Sequence, residues 1–502
     1  MANETTKQTP LSNLSIALML AGIAALIVIC FLPTTGYFFA QDDFGLMYEA
    51  NFSLKSSMAI TFGTAPGQFR PLTKYLYFRL MYPLFGLNPL PYHIVSLLLH
   101  FMNCVLIYFL LRRLKISQVP ALIVTLVFAL HVGFLNVISW VSCIQQLLSE
   151  LLALITLHLA VRAQGRRRLF FTVAATVAYV LALSAMEQTF AVPLFLGLFF
   201  FLRGKAQPFK ERIGRALKPT WPLLAIMVVY LLFIFFRRGI PKAGPYDFAI
   251  GWNVLSNILT YLEWMFNVSI EMPFRFATYS TGVTAVHFLI LLIIIYNIAR
   301  GRRNVVILGL SFYIMALLPV LFLQGHKAFT HNYVPAFGML YLVAPVIEDL
   351  YSVVSRAGPR FVRVSVATIV VMLAIISYTK VRINETNTIG LDRKLPRNVV
   401  FRRASIARNA YDDLMRNKAD IYKDGNLVMV YPGDTSWYVQ NVIAAVSDGD
   451  AFKLFFSAPK LKVQFHADKE SLPEYPVRSA VFFFDYRGHC YTIEEMRARQ
   501  AE

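Results

Sequence analysis

The chain has 502 residues, 57% of them hydrophobic and only 15% charged, with a mean hydropathy of +0.55. A soluble chain of this size would carry about a quarter charged residues, so the composition excludes an ordinary water-soluble protein. The net charge of +20 does not indicate nucleic acid, because the basic residues stand between apolar segments rather than on one soluble face. They read as topology signals and contacts with anionic lipid headgroups.

Apolar runs of around 20 residues recur, each long enough to cross a bilayer core of about 30 Å. They predict about eleven spans, at 13–33, 92–111, 119–138, 141–161, 169–186, 188–203, 221–236, 283–299, 304–323, 333–351 and 361–379. The first run is too long for a signal-peptide core, has only Lys7 ahead of it and no small-x-small site after it, so it is expected to be retained. Cys30, Cys104 and Cys143 fall in apolar segments and Cys490 stands alone in the tail, which suggests no disulfide framework.

Orientation follows from the basic loops. Arg112-Arg113-Leu114-Lys115, Arg166-Arg167-Arg168, the loop 203–218, Arg300 with Arg302 and Arg303, and Arg356 with Arg360 and Arg363 all fall on one side of this arrangement. The positive-inside rule makes that side cytoplasmic. The N-terminus is then expected inside, and the loops 34–91 and 237–282 and everything after Lys380 outside. Within the first outer loop, residues 68–78 read as the start of an amphipathic interfacial helix with Pro71 in its first turn; residues 252–259 read the same way. The tail 380–502 is less apolar. It has a basic helical stretch near Arg397–Lys418 and β-like runs at 426–431, 461–465 and 480–486. The predicted fold is thus an all-α polytopic membrane domain, 1–379, with a small soluble α/β domain at 380–502.

Asp42 and Asp43 follow the first span directly. Two adjacent carboxylates at the mouth of a helical bundle are costly to desolvate and are usually functional or paired. They suit taking a proton from an acceptor or holding a divalent metal cation; the same pair equally suits a solvated loop start that caps the next helix. Arg70 and Lys74 in the first outer loop suit a phosphate or a lipid headgroup. His93 and His100 share a helix face as buried, hydrogen-bonded histidines or a base. Glu187 and Gln188 occupy a tight outer turn, and Gln145, Gln146 and Glu150 open the fourth span on the same side, where they can join helices. His326, Lys327, His331 and Tyr333, with Arg237 and Arg238, add cationic or protonatable groups to the outer side. The arginines run against the positive-inside trend, and snorkelling to headgroups also explains them.

The order of these motifs resembles a known family. Asp42-Asp43, then Phe69-Arg70-Pro71-Leu72-Thr73, Gly86-Leu87-Asn88-Pro89, Tyr92-His93 and Leu97 through Asn103, closing on Leu111-Arg112-Arg113-Leu114, are similar to the C-type (GT-C) integral-membrane glycosyltransferases. The pattern looks closest to bacterial relatives of the protein O-mannosyltransferases that carry tetratricopeptide repeats. Met186-Glu187-Gln188-Thr189 and Tyr333-Val334-Pro335 match that family's acidic turn and Tyr-Leu-Pro segment more weakly. The chain departs from it in having no such repeats and in placing Thr330 and His331 before Tyr333.

The resemblance implies a polyprenyl-phosphate sugar donor, an acceptor that enters from outside, and an acidic pair at the active site of a multi-pass protein, as in a bacterial inner membrane. Asp42 or Asp43 would activate the acceptor, or hold a divalent metal. Arg70, Lys74, Arg237, Arg238, His326 and Lys327 would face the donor phosphate, with His93, Glu187, Gln188, His331 and Tyr333 as supports. A single displacement would invert the anomeric centre. A lipid-linked glycan flippase, which would favour charges buried mid-span and paired discontinuous helices, a non-catalytic scaffold, and ligation of whole glycans from a lipid pyrophosphate remain alternatives.

Overall fold

Long apolar helices dominate the computed structural model, which describes residues 11–62, 69–163, 165–203, 208–238, 246–266, 285–389, 394–416, 423–431, 437–466 and 479–501. Helix α1 (Asn13–Phe31) starts where the Ser12 hydroxyl accepts the Ser15 N–H at 3.1 Å, which satisfies one of the orphan donors of a helix start. The first long loop holds the short helices α2 (Asp42–Ala50), α3 (Leu54–Phe62) and α4 (Phe78–Phe85), with a wide π-type turn, Leu72–Tyr77, running into α4. Then follow α5 (Leu90–Arg113), α6 (Gln118–Ala129), α7 (Leu135–Ser139), α8 (Ile144–Arg162), α9 (Arg168–Ala185) and α10 (Val192–Arg203). The bundle is completed by α11 (Phe209–Phe233), α12 (Trp252–Phe266), α13 (Ala285–Ala299), α14 (Arg303–Leu321), α15 (Ala336–Arg356) and α16 (Pro359–Thr386).

Among the described residues, eight helices are long and apolar enough to cross a membrane, and a ninth span arises if the pair α6–α7, bent by 43°, counts as one. Counting that pair, nine of the roughly eleven predicted spans thus correspond to full-length spans among the described residues. The other two predicted spans are α10 and α13, with 12 and 15 residues among those described; at 1.5 Å per residue these described lengths fall short of a bilayer core. The run at 188–203 loses length because its first residues form a 3-10 turn, Glu187–Ala191. Apolar side chains such as Leu18, Leu169, Val229, Leu292 and Val371 are exposed along α1, α9, α11, α13 and α16. Such a surface suits lipid, where backbone groups are satisfied within the helices.

The two ends of the bundle differ in chemistry. At one end the basic loops meet: Arg113 donates to the His158 carbonyl at 3.1 Å, Arg168 to the Lys218 carbonyl at 2.8 Å, and Arg302 to both Asp349 oxygens at 2.6 and 2.8 Å. The acidic pair, the wide turn, the start of α8, the Glu187 turn and His331 gather at the other end.

Helices α14 and α15 touch through glycine. A Cβ on Gly309 would lie 2.8 Å from the Gly338 carbonyl oxygen, and one on Gly338 would overlap the Gly309 carbonyl oxygen and lie 2.8 Å from the Tyr313 nitrogen. Small residues allow such backbone approach between apolar helices. Gly338→Ala is expected to cost about 1–3 kcal/mol by overpacking, seen as a lower unfolding temperature in detergent; an unchanged temperature would contradict this contact.

After α16 the chain forms a small α/β unit. It comprises β1 (Thr388–Ile389) antiparallel to β2 (Leu395–Pro396), α17 (Val399–Arg416), β3 (Asn426–Val430), α18 (Trp437–Ala445) and α19 (Asp450–Phe455), then β4 (Lys462–His466), β5 (Ser479–Phe484), β6 (Cys490–Tyr491) and α20 (Ile493–Ala501). The sheet order is β4-β3-β5-β6, with β3 parallel to β4 and β5 and β6 antiparallel to β5. Strand β3 is a continuous buried apolar run, as a central parallel strand requires. The unit packs on the acidic end of the bundle: Phe38 and Phe44 meet Phe455, the Tyr37 ring stacks on Phe401 at 4.1 Å, the Gln41 N–H donates to the Ala445 carbonyl, and Asn398 donates to Asn136. Helix α2, which starts with the acidic pair, is thus wedged between the apolar helices and the α/β unit.

Candidate functional site around Asp42

The approach to α2 is strained and tightly held. Gln41, just before the helix, has a φ of 54°, a conformation that costs a non-glycine residue about 1–3 kcal/mol and collects at functional sites. Asp43 secures the turn. One of its carboxylate oxygens accepts the Ala40 N–H at 2.9 Å; the other accepts the Ser142 N–H at 2.7 Å and the Ser142 hydroxyl. Trp140 Nε1 adds a bond to the Ala40 carbonyl at 3.2 Å. Burial raises the Asp43 carboxyl to about 7, against the downward pull of these hydrogen bonds.

Asp42 does the opposite. Successive helical residues lie about 100° apart, so with Asp43 turned inward Asp42 keeps an exposed surface. It stands in a recess, with Lys74 of the wide turn, Arg70 just ahead of that turn, Arg403 of α17 and Tyr246 within electrostatic range. Withdrawal from bulk water raises its carboxyl, while Lys74, Arg403 and Arg70 pull it down. Glu49, seven residues further along α2, lies within electrostatic range of Lys74 as well and shares the face of Asp42. Burial lowers the Lys74 ammonium, and burial also pushes the Arg403 guanidinium down to about 10.

Arg70 braces the recess. Its guanidinium grips Glu187 with two nitrogens, Nε to Oε2 at 2.7 Å and Nη2 to Oε1, and the third, Nη1, donates to Gln145. Burial alone would raise the Glu187 carboxyl, but the charge and hydrogen bonds of Arg70 outweigh it and hold the group below its usual range. The Thr73 hydroxyl donates to the Ala185 carbonyl at 2.9 Å and pins the same turn to the end of α9. Gln188 bonds the backbone, donating to the His331 carbonyl at 2.9 Å and the Ala316 carbonyl at 3.3 Å.

Next to Tyr246 stand His326 and, near it in the chain or in space, Lys327 and His331. The His326 ring lies against Tyr246 at 4.5 Å and near His331 at 5.4 Å, and His331 Nδ1 bonds the Tyr261 hydroxyl at 3.0 Å. Burial and then Arg70 lower His326 to about 4, and burial lowers His331 well below its ordinary value, which favours the neutral imidazole in both. Lys327 Nζ donates to the Ser256 hydroxyl at 3.3 Å and lies 3.5 Å from that of Thr260.

Two predicted supports stand apart. His93 is buried and bonds the Tyr37 carbonyl at 2.9 Å, where it fixes the chain leading to α2. Tyr333 is buried in the bundle, where its hydroxyl meets His100 Nδ1 at 2.8 Å and Asn103 Nδ2 at 3.1 Å. Arg237 and Arg238 end the helical turn Ile234–Arg238, and their side chains lie outside the described residues. Ser142, Glu49, Tyr246 and Arg403 belong to the site and were not singled out from sequence. Arg403 had only a helical charge run to mark it.

The described donors around Asp42 do not fit a protein-held metal. Among the described residues no three His, Cys, Asp or Glu side chains gather to hold one. The Asp43 oxygens already accept three protein donors, and Glu187 is paired with Arg70.

Comparison of the sequence with protein families and with curated proteins returns no match. Among solved structures, the fold is similar to that of the archaeal oligosaccharyltransferase AglB from Archaeoglobus fulgidus in complex with an inhibitory peptide and a dolichol-phosphate, with a TM-score of 0.50 and 14% identity. The alignment covers 86% of this chain and 63% of that one. The likeness is one of fold: the chain is a polytopic membrane protein built of long apolar helices, with a small C-terminal α/β unit.

Proposed function

We propose that the chain transfers a sugar from a polyprenyl-phosphate-linked donor to an acceptor at the non-cytoplasmic end of its bundle. One observation carries the reading: Asp43 is bound up by backbone donors, while Asp42 stays open in a recess faced by Lys74. Such a recess combines a base for an acceptor with positive charge for a leaving phosphate. The motif order of the first loop and the fold shared with a protein whose structure holds a dolichol-phosphate support it. The finer resemblance, to relatives of the protein O-mannosyltransferases, rests on the sequence motifs alone.

In the proposed step the acceptor oxygen or nitrogen attacks the anomeric carbon and gives its proton to an Asp42 oxygen. The bond from that carbon to the phosphate oxygen breaks, its electron pair leaves with the polyprenyl phosphate, and the anomeric centre inverts. Lys74 and Lys327 stabilise the charge that develops on the phosphate. Arg70 holds the turn that presents Lys74, and His326 and His331 act as neutral hydrogen-bonding groups. No step needs a protein-held metal.

Because the Asp42 carboxyl is raised, the transfer rate is expected to rise with pH through an apparent pKa above the ordinary carboxylate value of about 3.9. Lys74 pulls that pKa down. Lys74→Met should therefore move the acid limb to higher pH as well as weaken donor binding. A limb unmoved in Lys74→Met would contradict the pairing of these groups.

The activity is tested by mass spectrometry of lipids and glycans from cells with and without the protein. Loss of the protein should remove one sugar from a cell-surface product and accumulate its lipid-phosphate donor. An unchanged lipid and glycan profile would sink the reading. The named activity of the AglB structure makes ligation of a whole glycan the second reading, distinguished by a product mass shift of several sugars rather than one.

A further inference from the structure

We propose that the C-terminal α/β unit completes the donor site, with Arg403 of α17 and Lys74 together clamping a phosphate of the lipid-linked donor. The inference rests on the reading of the recess as a donor site. Helix α17 is fixed around this residue. Asn398 Oδ1 accepts the Val400 N–H at 2.9 Å, the Phe401 ring stacks on Tyr37, and Arg402 donates to the Arg397 carbonyl at 2.9 Å and to Asn441 at 3.3 Å. Arg403 has no such use. Its Nε is enclosed and has no hydrogen-bond partner among the described residues, and it makes no ion pair there, although Asp42 lies within electrostatic range.

A buried guanidinium donor left without an acceptor is unfavourable, and a ligand oxygen would relieve it. The chemistry that fits is a phosphate monoester or pyrophosphate, whose oxygens match the planar guanidinium fork. Arg403 and Lys74 come from units far apart in sequence, and both act on Asp42. A phosphate between them would join the wide turn to α17 and set the anomeric carbon beside the carboxylate. The α/β unit then contributes a binding residue to the site as well as packing against α2.

The test uses the full chain in phosphatidylcholine nanodiscs with polyprenyl phosphate, uncharged polyprenol and inorganic phosphate as probes. Wild type should hold polyprenyl phosphate more tightly than polyprenol, and Arg403→Met should reduce that preference about tenfold, the loss expected for a charge-assisted hydrogen bond. Arg403→Lys should fall between the two. Arg408→Ala, which removes an exposed arginine paired with Asp412 on the same helix, should leave the preference intact. The ligand-free unfolding temperature of Arg403→Met should be unchanged or higher, because the side chain has no hydrogen bond to lose among the described residues and its desolvation outweighs the attraction of Asp42. A preference unchanged in Arg403→Met overturns the clamp and leaves the donor reading standing; a fall in unfolding temperature with that unchanged preference would give Arg403 a structural role instead. A wild type that does not distinguish phosphate from alcohol removes the donor reading and the clamp with it. Displacement of the lipid by inorganic phosphate at equal concentration would mark a free-phosphate site and overturn the lipid assignment.

Discussion

Asp42→Asn is expected to lower the transfer rate by about a hundredfold or more, the lower end of what a positioned general base contributes, with little change in stability. The exposed carboxylate makes no hydrogen bond that the fold requires. Its loss removes the favourable interaction of a first-turn acid with the helix N-terminus, about 0.3–1 kcal/mol, and the attraction of Lys74 and Arg403, which is offset by relief of the desolvation that raises its carboxyl. Asp43→Asn should behave differently. An amide there must turn its NH2 toward either Ala40 N–H or the Ser142 donors, which leaves a buried donor unmet at about 1–3 kcal/mol. The unfolding temperature should fall, and activity should fall with it as the start of α2 shifts. Adjacent residues of the same type thus separate by readout: rate without stability for Asp42, stability first for Asp43. A wild-type rate in Asp42→Asn would remove the assignment of the base.

The second large effect lies in the brace. Breaking the Arg70–Glu187 pair from one side strands a buried charge, and Glu187→Gln or Arg70→Met should each cost about 3–5 kcal/mol. The double variant Arg70→Met/Glu187→Leu should recover much of that stability, because no charge is left unpaired, while transfer stays low because the turn that presents Lys74 has lost its anchor. Chemical unfolding of the four species in detergent gives the coupling. Additive losses would contradict the reading of Arg70 as a brace rather than a phosphate ligand.

Much of the architecture was legible in the sequence because hydropathy and charge act over long windows. The spans of α1, α5, α8, α9, α14, α15 and α16, the gathering of the basic loops at one end, and the three β-like runs of the tail follow from patterns many residues long. The late start of α10 did not show, because an apolar run does not reveal where a 3-10 turn such as Glu187–Ala191 ends and the helix begins.

The site was legible only in part, for a related reason. Adjacent acids look alike in sequence. Which one faces solvent depends on the Ser142 backbone, and that contact is set by how α8 meets α2. Arg70 and Glu187 were both noticed, one as a phosphate ligand and one as a polar turn, but their pairing across the bundle end was not deducible from either. Arg403 was hidden among the basic residues of α17, because only tertiary packing selects one arginine of that helix for the recess.

Every proposed step needs Asp42 in a recess that opens to the non-cytoplasmic side. Asp42→Cys tests this directly, since Cys30, Cys104, Cys143 and Cys490 are all buried. A membrane-impermeant maleimide added to intact cells should label the new thiol, and a polyprenyl phosphate added beforehand should protect it. Labelling only after the membrane is made permeable would place residue 42 on the cytosolic face and contradict the proposed reaction.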